Sequence, residues 1–329
     1  MRRREFLNVV AGSVAGLPAL TSNRSRALPE EQEKKIQESE VMVKVLGTAQ
    51  DGGIPQLGCY CPNCLRAREE PGFSRLVSSL GLFDIPKRSF FLLDATPDIR
   101  RQCHLAHQRL GKQKSGARNF PQAVLLTHAH IGHYTGLMFF GYESVSTSDL
   151  PAYCSERMGI FLANNGPWSQ LVNFKNISIH QLSMKQKLSL TPSLSITARS
   201  VPHRDEYSDT LGFTAYGQKK KLLYIPDIQD WRTWKKSIVE EVKKVDYALL
   251  DGTFYGPEEL PGRDLSRIGH PFITTSLKLL GKLAREGKTK IYFTHLNHSN
   301  LALDPEGEAR KKIEREGFRL AEEGMEFFL

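Results

Sequence analysis

The stretch "LLTHAHIGHYTGL" (125–137) places His128, His130 and His133 within six positions, directly behind an apolar run. That run, "AVLLT" (123–127), predicts a strand ending at Thr127. The loop beyond it then projects His128 and His130 the same way, two residues apart, with His133 opening the next element. Imidazoles so placed can converge on one or two divalent ions, and three protein nitrogens with an open position suit a catalytic metal. Isolated histidines such as His104, His107 and His180 read instead as ordinary hydrogen-bonding side chains. Position 132, just before the third histidine of the cluster, is a glycine and donates no ligand.

Similar apolar or β-branched runs recur at 41–47, 89–95, 193–201, 211–216, 221–227, 246–252 and 290–295. Several are nearly continuous, as strands buried on both faces require. Helix-like segments lie among them at 97–111, 230–245, 272–287 and 305–317; the third starts just after Pro271 and closes on Gly287. This mixture predicts a layered α/β fold, with helices covering sheets, as a single domain over 41–329. No internal repeat is visible in the sequence.

The 329 residues, 40% of them hydrophobic, are enough for one sizeable core. The formal charge of +9 does not point to nucleic acid, because Lys and Arg are scattered apart from "KKK" (219–221) and "KTK" (288–290). Part of the charge sits in residues 1–27, which carry five Arg against one Glu. There "MRRREFLNVVAGSVAGLPAL" has the basic start, short apolar segment and small residues of an export signal. Arg3-Arg4-Glu5-Phe6-Leu7 resembles the twin-arginine type, which implies a periplasmic protein; a merely basic tail would leave it cytoplasmic. Residues 28–40 read as a charged linker. No run of eighteen apolar residues occurs, so stable membrane insertion is not expected.

Five cysteines, three of them clustered, make a poor disulfide framework. "CYCPNC" (59–64) offers the thiolates of Cys59, Cys61 and Cys64 to a soft tetrahedral ion, for which zinc is the expected metal. Three ligands do not close such a site.

Taken in order, four motifs resemble the metallo-β-lactamase superfamily, whose first motif is H-x-H-x-D-H. They are the histidine cluster, "SVPHRDEYSDTLGF" with His203, "LLYIPDIQD" with Asp227 and "IYFTHLNHSN" with His295. The resemblance implies a four-layer αβ/βα sandwich. It also implies a first metal held by His128, His130, His203 and Asp227, and a second by His133, Asp227 and His295. The second is weakened because Gly132 stands where the family carries an aspartate. More narrowly, "LGTAQDGGIPQLGCYCPNCLRAR", "DGTFYGPEEL", "RIGHPF" and "EGMEFFL" resemble the coenzyme PQQ synthesis B family, and less fully the phosphoribosyl cyclic phosphodiesterases. The latter resemblance implies His298 as the fourth ligand of the cysteine zinc and His270 as a general acid at the leaving group.

Other residues read more plainly. Asp51-Gly52-Gly53 is expected to form a tight turn near the site entrance, and Asp94 and Asp98 to cap a helix. Asp205 and Asp209 orient His203 or cap a turn, while Trp168, Trp231 and Trp234 belong to packing. The expected activity is that of a metallo-hydrolase using metal-activated hydroxide on an ester or phosphodiester, with Asp227 and His270 as catalytic residues. The alternatives are iron-dependent oxidation of a tyrosine-derived precursor in pyrroloquinoline quinone biosynthesis, or a non-enzymatic carrier of that cofactor or its precursor. The expected ions are a structural Zn and one or two of Zn, Mn or Fe in the active site. The expected partners are a small-molecule substrate and at most a second copy of the chain, as a homodimer.

Overall fold

A computed structural model of the chain describes residues 41–111, 115–116, 118–184 and 186–329. The export-signal and linker segments assigned to 1–27 and 28–40 lie outside the described residues. The first sheet contains β1 (Val41–Gly47), β2 (Ser79–Asp84), β3 (Ser89–Leu93), β4 (Val124–Leu125), β5 (Leu150–Cys154), β6 (Ile177–Gln181) and the last strand, β14 (Glu326–Phe328). The second contains β7 (Leu188–Ser189), β8 (Ser195–Val201), β9 (Thr210–Tyr216), β10 (Lys221–Ile225), β11 (Tyr247–Asp251), β12 (Lys290–Thr294) and β13 (Arg319–Leu320).

Their spatial orders are β14-β1-β2-β3-β4-β5-β6 and β7-β8-β9-β10-β11-β12-β13. Read in those directions, each sheet has three antiparallel pairings followed by three parallel ones. The two halves therefore repeat one architecture that the sequence does not display as a repeat.

Alternation along the strands builds three apolar layers. Val41, Val43, Leu80, Leu82 and Leu93 of the first sheet meet Ile196, Leu211, Phe213, Leu222 and Tyr224 of the second between the sheets. The opposite face of the first sheet, with Met42, Phe90 and Leu92, packs under α2 (Ile99–Arg109), α4 (Glu156–Asn164) and α5 (Trp168–Asn173). The outer face of the second, with Leu223, Ile225, Leu250 and Phe293, packs under α6 (Ile238–Val242), α7 (Ile273–Glu286) and α8 (Glu308–Arg315). Helix, sheet, sheet and helix give the four-layer αβ/βα sandwich expected from the motifs. Each large apolar side chain so buried contributes about 1.5–3 kcal/mol.

One helix differs from its expectation. Residues 230–245 were expected to be helical throughout, yet only Ile238–Val242 is. The indole of Trp231 donates to Ser276 Oγ at 2.8 Å and that of Trp234 to the Ser200 carbonyl at 2.9 Å. Both rings point into the core, and the turns at 231–236 let them do so at the expense of helical hydrogen bonds. α7 follows its sequence closely: it runs to Glu286, and Gly287 closes it in the left-handed region at φ 70°.

Candidate metal centre

Most residues of the candidate site sit at or just past a strand end, at one edge of the two sheets. β3 leads to Asp94, β4 to His128, β8 to His203, β10 to Asp227, β11 to Asp251 and β12 to His295. Loops at such an edge can carry polar groups inward because the strands beneath them are rigid.

Ligand atoms of His128, His130, His203 and Asp227 lie within 4.8 Å of one another. Asp227 Oδ2 is 3.3 Å from His128 Nε2, and its Oδ1 is 3.2 Å from His203 Nε2. His203 Nε2 also stands 3.2 Å from His130 Nδ1. His133, Asp227 and His295 form the neighbouring group: Asp227 Oδ2 is 3.9 Å from His133 Nε2 and 3.9 Å from His295 Nε2. The two imidazole nitrogens are 3.3 Å apart. Asp51 also approaches the two imidazoles: Asp51, His133 and His295 lie within 4.8 Å, with Asp51 Oδ1 3.5 Å from His133 Nε2.

Both oxygens of Asp227 and Nε2 of His128 are buried without a hydrogen-bond partner. Buried polar atoms are almost always satisfied, so orphaned nitrogen and carboxylate atoms facing one another fit a divalent cation between them. Burial opposes charge on Asp227, but the imidazoles of His270 and His203 hold its carboxyl well below the usual carboxylate range. Burial and the neighbouring His133 keep His128 well below an ordinary histidine, the neutral state a ligand needs.

Behind the ligands stand two matching relays. Asp94 accepts from Thr127 N–H at 2.8 Å and from His133 Nδ1–H at 2.8 Å. Thr127 Oγ1 in turn donates to Asp94 and lies 3.0 Å from His128 Nδ1. Asp251 accepts from the Thr253 hydroxyl at 2.8 Å, and that hydroxyl lies 3.0 Å from His295 Nδ1. Each relay occupies Nδ1 and leaves Nε2 facing the centre. Burial works against a charge on His133, yet Asp94 raises it to about 9. His270 Nδ1 lies 3.0 Å from Asp251 Oδ2 and 3.2 Å from Asp227 Oδ1; against the cost of burial, these two carboxylates lift the ring to about 10.

The structure also brings the cysteine cluster together. Cys59, Cys61, Cys64 and His298 present ligand atoms within 4.8 Å of one another. The thiols of Cys59 and Cys61 each lie 3.4 Å from His298 Nδ1. Ligands at zinc distances from a tetrahedral centre stand about 3.3–3.8 Å apart, so this spacing suits the ion. Burial pushes the Cys64 thiol up to about 12, so it would ionise only against a cation. Cys103 and Cys154 lie apart from this group.

Several sequence readings change. Asp94 does not cap a helix but holds His133 and Thr127. Asp98 is at the N-cap position of α2, but its carboxylate accepts from Val77 N–H at 2.9 Å rather than from the helix. Asp209 pairs with Arg157 at 3.9 Å, whose guanidinium also donates to the Asp205 carbonyl; among the described contacts neither aspartate bonds His203. Asp51 does sit in a turn, but its side chain reaches the centre. Asp94 and Asp251 were visible as acids closing the apolar runs "FFLLD" and "YALLD", whereas nothing local marked Asp51.

The family described as "Beta-lactamase superfamily domain" matches residues 90–296. The coenzyme PQQ synthesis protein B of Gluconobacter oxydans is 30% identical over 310 residues, covering 87% of this chain and 98% of that protein. Its namesake in Methylobacterium sp. (strain 4-46) is 26% identical over 309 residues, covering 85% and 97%. Among solved structures, Zn(2+)-bound PqqB from Methylobacterium extorquens superposes with a TM-score of 0.73 at 23% identity, covering 88% of this chain and all of that one. A diphosphatase from the PhnP family superposes with a TM-score of 0.62 at 22% identity, covering 87% and 96%. The likeness thus spans the fold, the ordered motifs and nearly the whole length of the relatives, and the chain belongs to the beta-lactamase superfamily and, within it, to the coenzyme PQQ synthesis protein B family.

Proposed function

We propose that this protein is a metal-dependent hydrolase acting on an ester or phosphodiester of a small molecule. The observation that carries the reading is Asp227: a buried carboxylate with both oxygens unpartnered, standing between two groups of histidines. His128, His130, His203 and Asp227 would hold one divalent ion; His133, His295 and Asp227 would contribute to a second. Bound there, such ions supply Lewis-acid charge and lower the pKa of water to about 7.

The chain's own residues would do the rest. His270 Nδ1 is committed to Asp251, so its Nε2 is the nitrogen left to protonate the departing oxygen. Asp227 fixes the histidines around the reacting centre. At the rim, Arg204 Nη2 stands 3.5 Å from His130 Nε2 and would face an anionic group on the substrate. The test is metal analysis of the purified protein followed by assay against esters and phosphodiesters. Turnover that disappears in His128→Ala is expected; metal-loaded protein inert across the panel would overturn the reading.

A second reading is supported by the names of the relatives, which belong to PQQ synthesis. Histidines with one carboxylate and open positions also suit ferrous iron, and the chain would then oxidise a tyrosine-derived precursor of that cofactor. Complementation of a strain lacking its own B protein separates the two: restored cofactor production favours oxidation. The chain would act in the periplasm, on our reading of residues 1–27. Arg3→Lys combined with Arg4→Lys should hold it in the cytoplasm, and unchanged fractionation would remove that assignment.

A further inference from the structure

The second group of histidines lacks a ligand at position 132, yet that position is not empty space. A Cβ built on Gly132 would stand 2.2 Å from Asp51 Oδ1 and 2.7 Å from the Asp51 Cα. Gly132 lies in the short α3 (Ile131–Tyr134), and its φ is not among the positive ones. Glycine is therefore needed here for close approach, not for backbone conformation. Its N–H donates to Asp51 Oδ1 at 3.1 Å, holding that carboxylate where a side chain from position 132 would have been.

We propose that Asp51 is the carboxylate ligand of the second metal site. It is an oxygen donor brought in from the loop after β1 to replace the one missing from the histidine motif. The proposal deepens the metal-centre reading above and rests on it.

The loop that carries Asp51 is tied to the loop that follows β12. Gln50 N–H donates to the Leu296 carbonyl at 2.9 Å, and Leu296 N–H donates to the Thr48 carbonyl at 2.7 Å. These bonds splice the segment 48–50 alongside the residue that follows His295. Asp51 and His295 are thereby set side by side, and His133 is brought opposite by Asp94. The resulting donor set, two imidazole Nε2 atoms and a carboxylate within 4.8 Å, is a common one for zinc, manganese or ferrous iron. Asp227 Oδ2 also lies 3.9 Å from both histidines, and with Asp51 beside them the glycine no longer marks the site as weak.

The experiment compares metal binding in the wild-type protein and in Asp51→Asn, which keeps the shape and the hydrogen bond from Gly132 but removes the charge. Calorimetric zinc titration of protein retaining its cysteine-bound ion should show one class of site weakened at least about tenfold, with the other unaltered. Identical affinities and stoichiometry in a normally folded Asp51→Asn would overturn the proposal. Asp51→Cys loaded with cobalt provides a direct readout. A new thiolate-to-cobalt absorption band in the near ultraviolet, or loss of one bound equivalent, supports ligation by residue 51. Retention of the full equivalent without the band overturns it. Gly132→Asp alone should not raise the metal count, because the added carboxylate would displace Asp51 rather than join it. None of these readouts depends on turnover, so failure of the hydrolase reading would be seen separately, in the substrate panel.

Discussion

Asp94 sits buried at the end of β3 with φ 68°, a left-handed conformation that a non-glycine residue adopts only when its surroundings hold it there. What holds it is a set of hydrogen bonds to two neighbours, from Thr127 N–H, Thr127 Oγ1 and His133 Nδ1. Asp94→Asn removes the anion that steadies His133 directly and His128 through Thr127, so metal affinity should fall about 10–100-fold, most at the second site. Metal titration checks it; unaltered affinity would mean that packing alone orients the ring. Glu259 supplies a prediction about pH. Burial raises its carboxyl to about 7, against the pull of the Leu301 and Tyr255 N–H groups. The folded protein then keeps a proton that the unfolded chain releases near its ordinary value of 4.5. Its stabilising contribution is full below that value and is lost as pH rises towards about 7. Glu259→Gln should flatten the pH dependence of the urea midpoint across this window, and an unchanged slope would refute the assignment.

At the scale of an element, the segment joining β1 to α1 (Pro62–Glu69) shows how a loop without regular structure is held in one place. It carries Asp51 at one end and Cys59 and Cys61 at the other, while the loop after β12 carries His295 and His298. The cysteine cluster and the group around Asp51 therefore bridge the same two loops. Asn63 reinforces the join by donating to the His298 carbonyl at 2.9 Å. Cys61→Ser should lose the cysteine-bound zinc and expose the 50–60 segment to limited proteolysis. It should also lower the melting temperature by several degrees, since structural zinc contributes folding energy directly and about 1 kcal/mol moves Tm roughly 2–4 °C in domains of this order. Because Asp51 and His295 lose a shared anchor, second-site affinity should fall in the same variant. A variant that keeps its zinc and its protease resistance would show that the cysteines are inert packing.

For the whole molecule, the decisive surface is the one between the sheets. Phe213 is fully buried there, and Phe213→Ala should cost about 3–5 kcal/mol, read from the urea midpoint. A cost below about 1 kcal/mol would mean that the intersheet layer collapses around the vacancy. The apolar runs that form this layer are plain in the sequence, and eight of the strands stand where runs such as 41–47 and 290–295 put them. The other six, β2, β5, β6, β7, β13 and β14, were not anticipated. β5 includes Pro151 and β6 alternates weakly at an edge, so neither shows the continuous apolar signal of a central strand. β14 is three residues long and exists through its pairing with β1, at the far end of the chain.

What the sequence determined by itself was the set of parts: a layered α/β sandwich, histidines at strand ends, a thiolate cluster and the aspartate at 227. These follow from periodicity and from spacings of a few residues, which are local properties of the chain. Only the tertiary structure decided how the parts complete one another. The relays through Asp94 and Asp251, the inward turn of Trp231 and Trp234, and the matching of the two sheets all depend on contacts between distant segments. The glycine at 132 is the clearest case. Read along the chain it is a missing ligand; in the fold it is the space into which Asp51 brings a carboxylate from 81 residues away, because a side chain at 132 and the Asp51 loop cannot occupy the same volume.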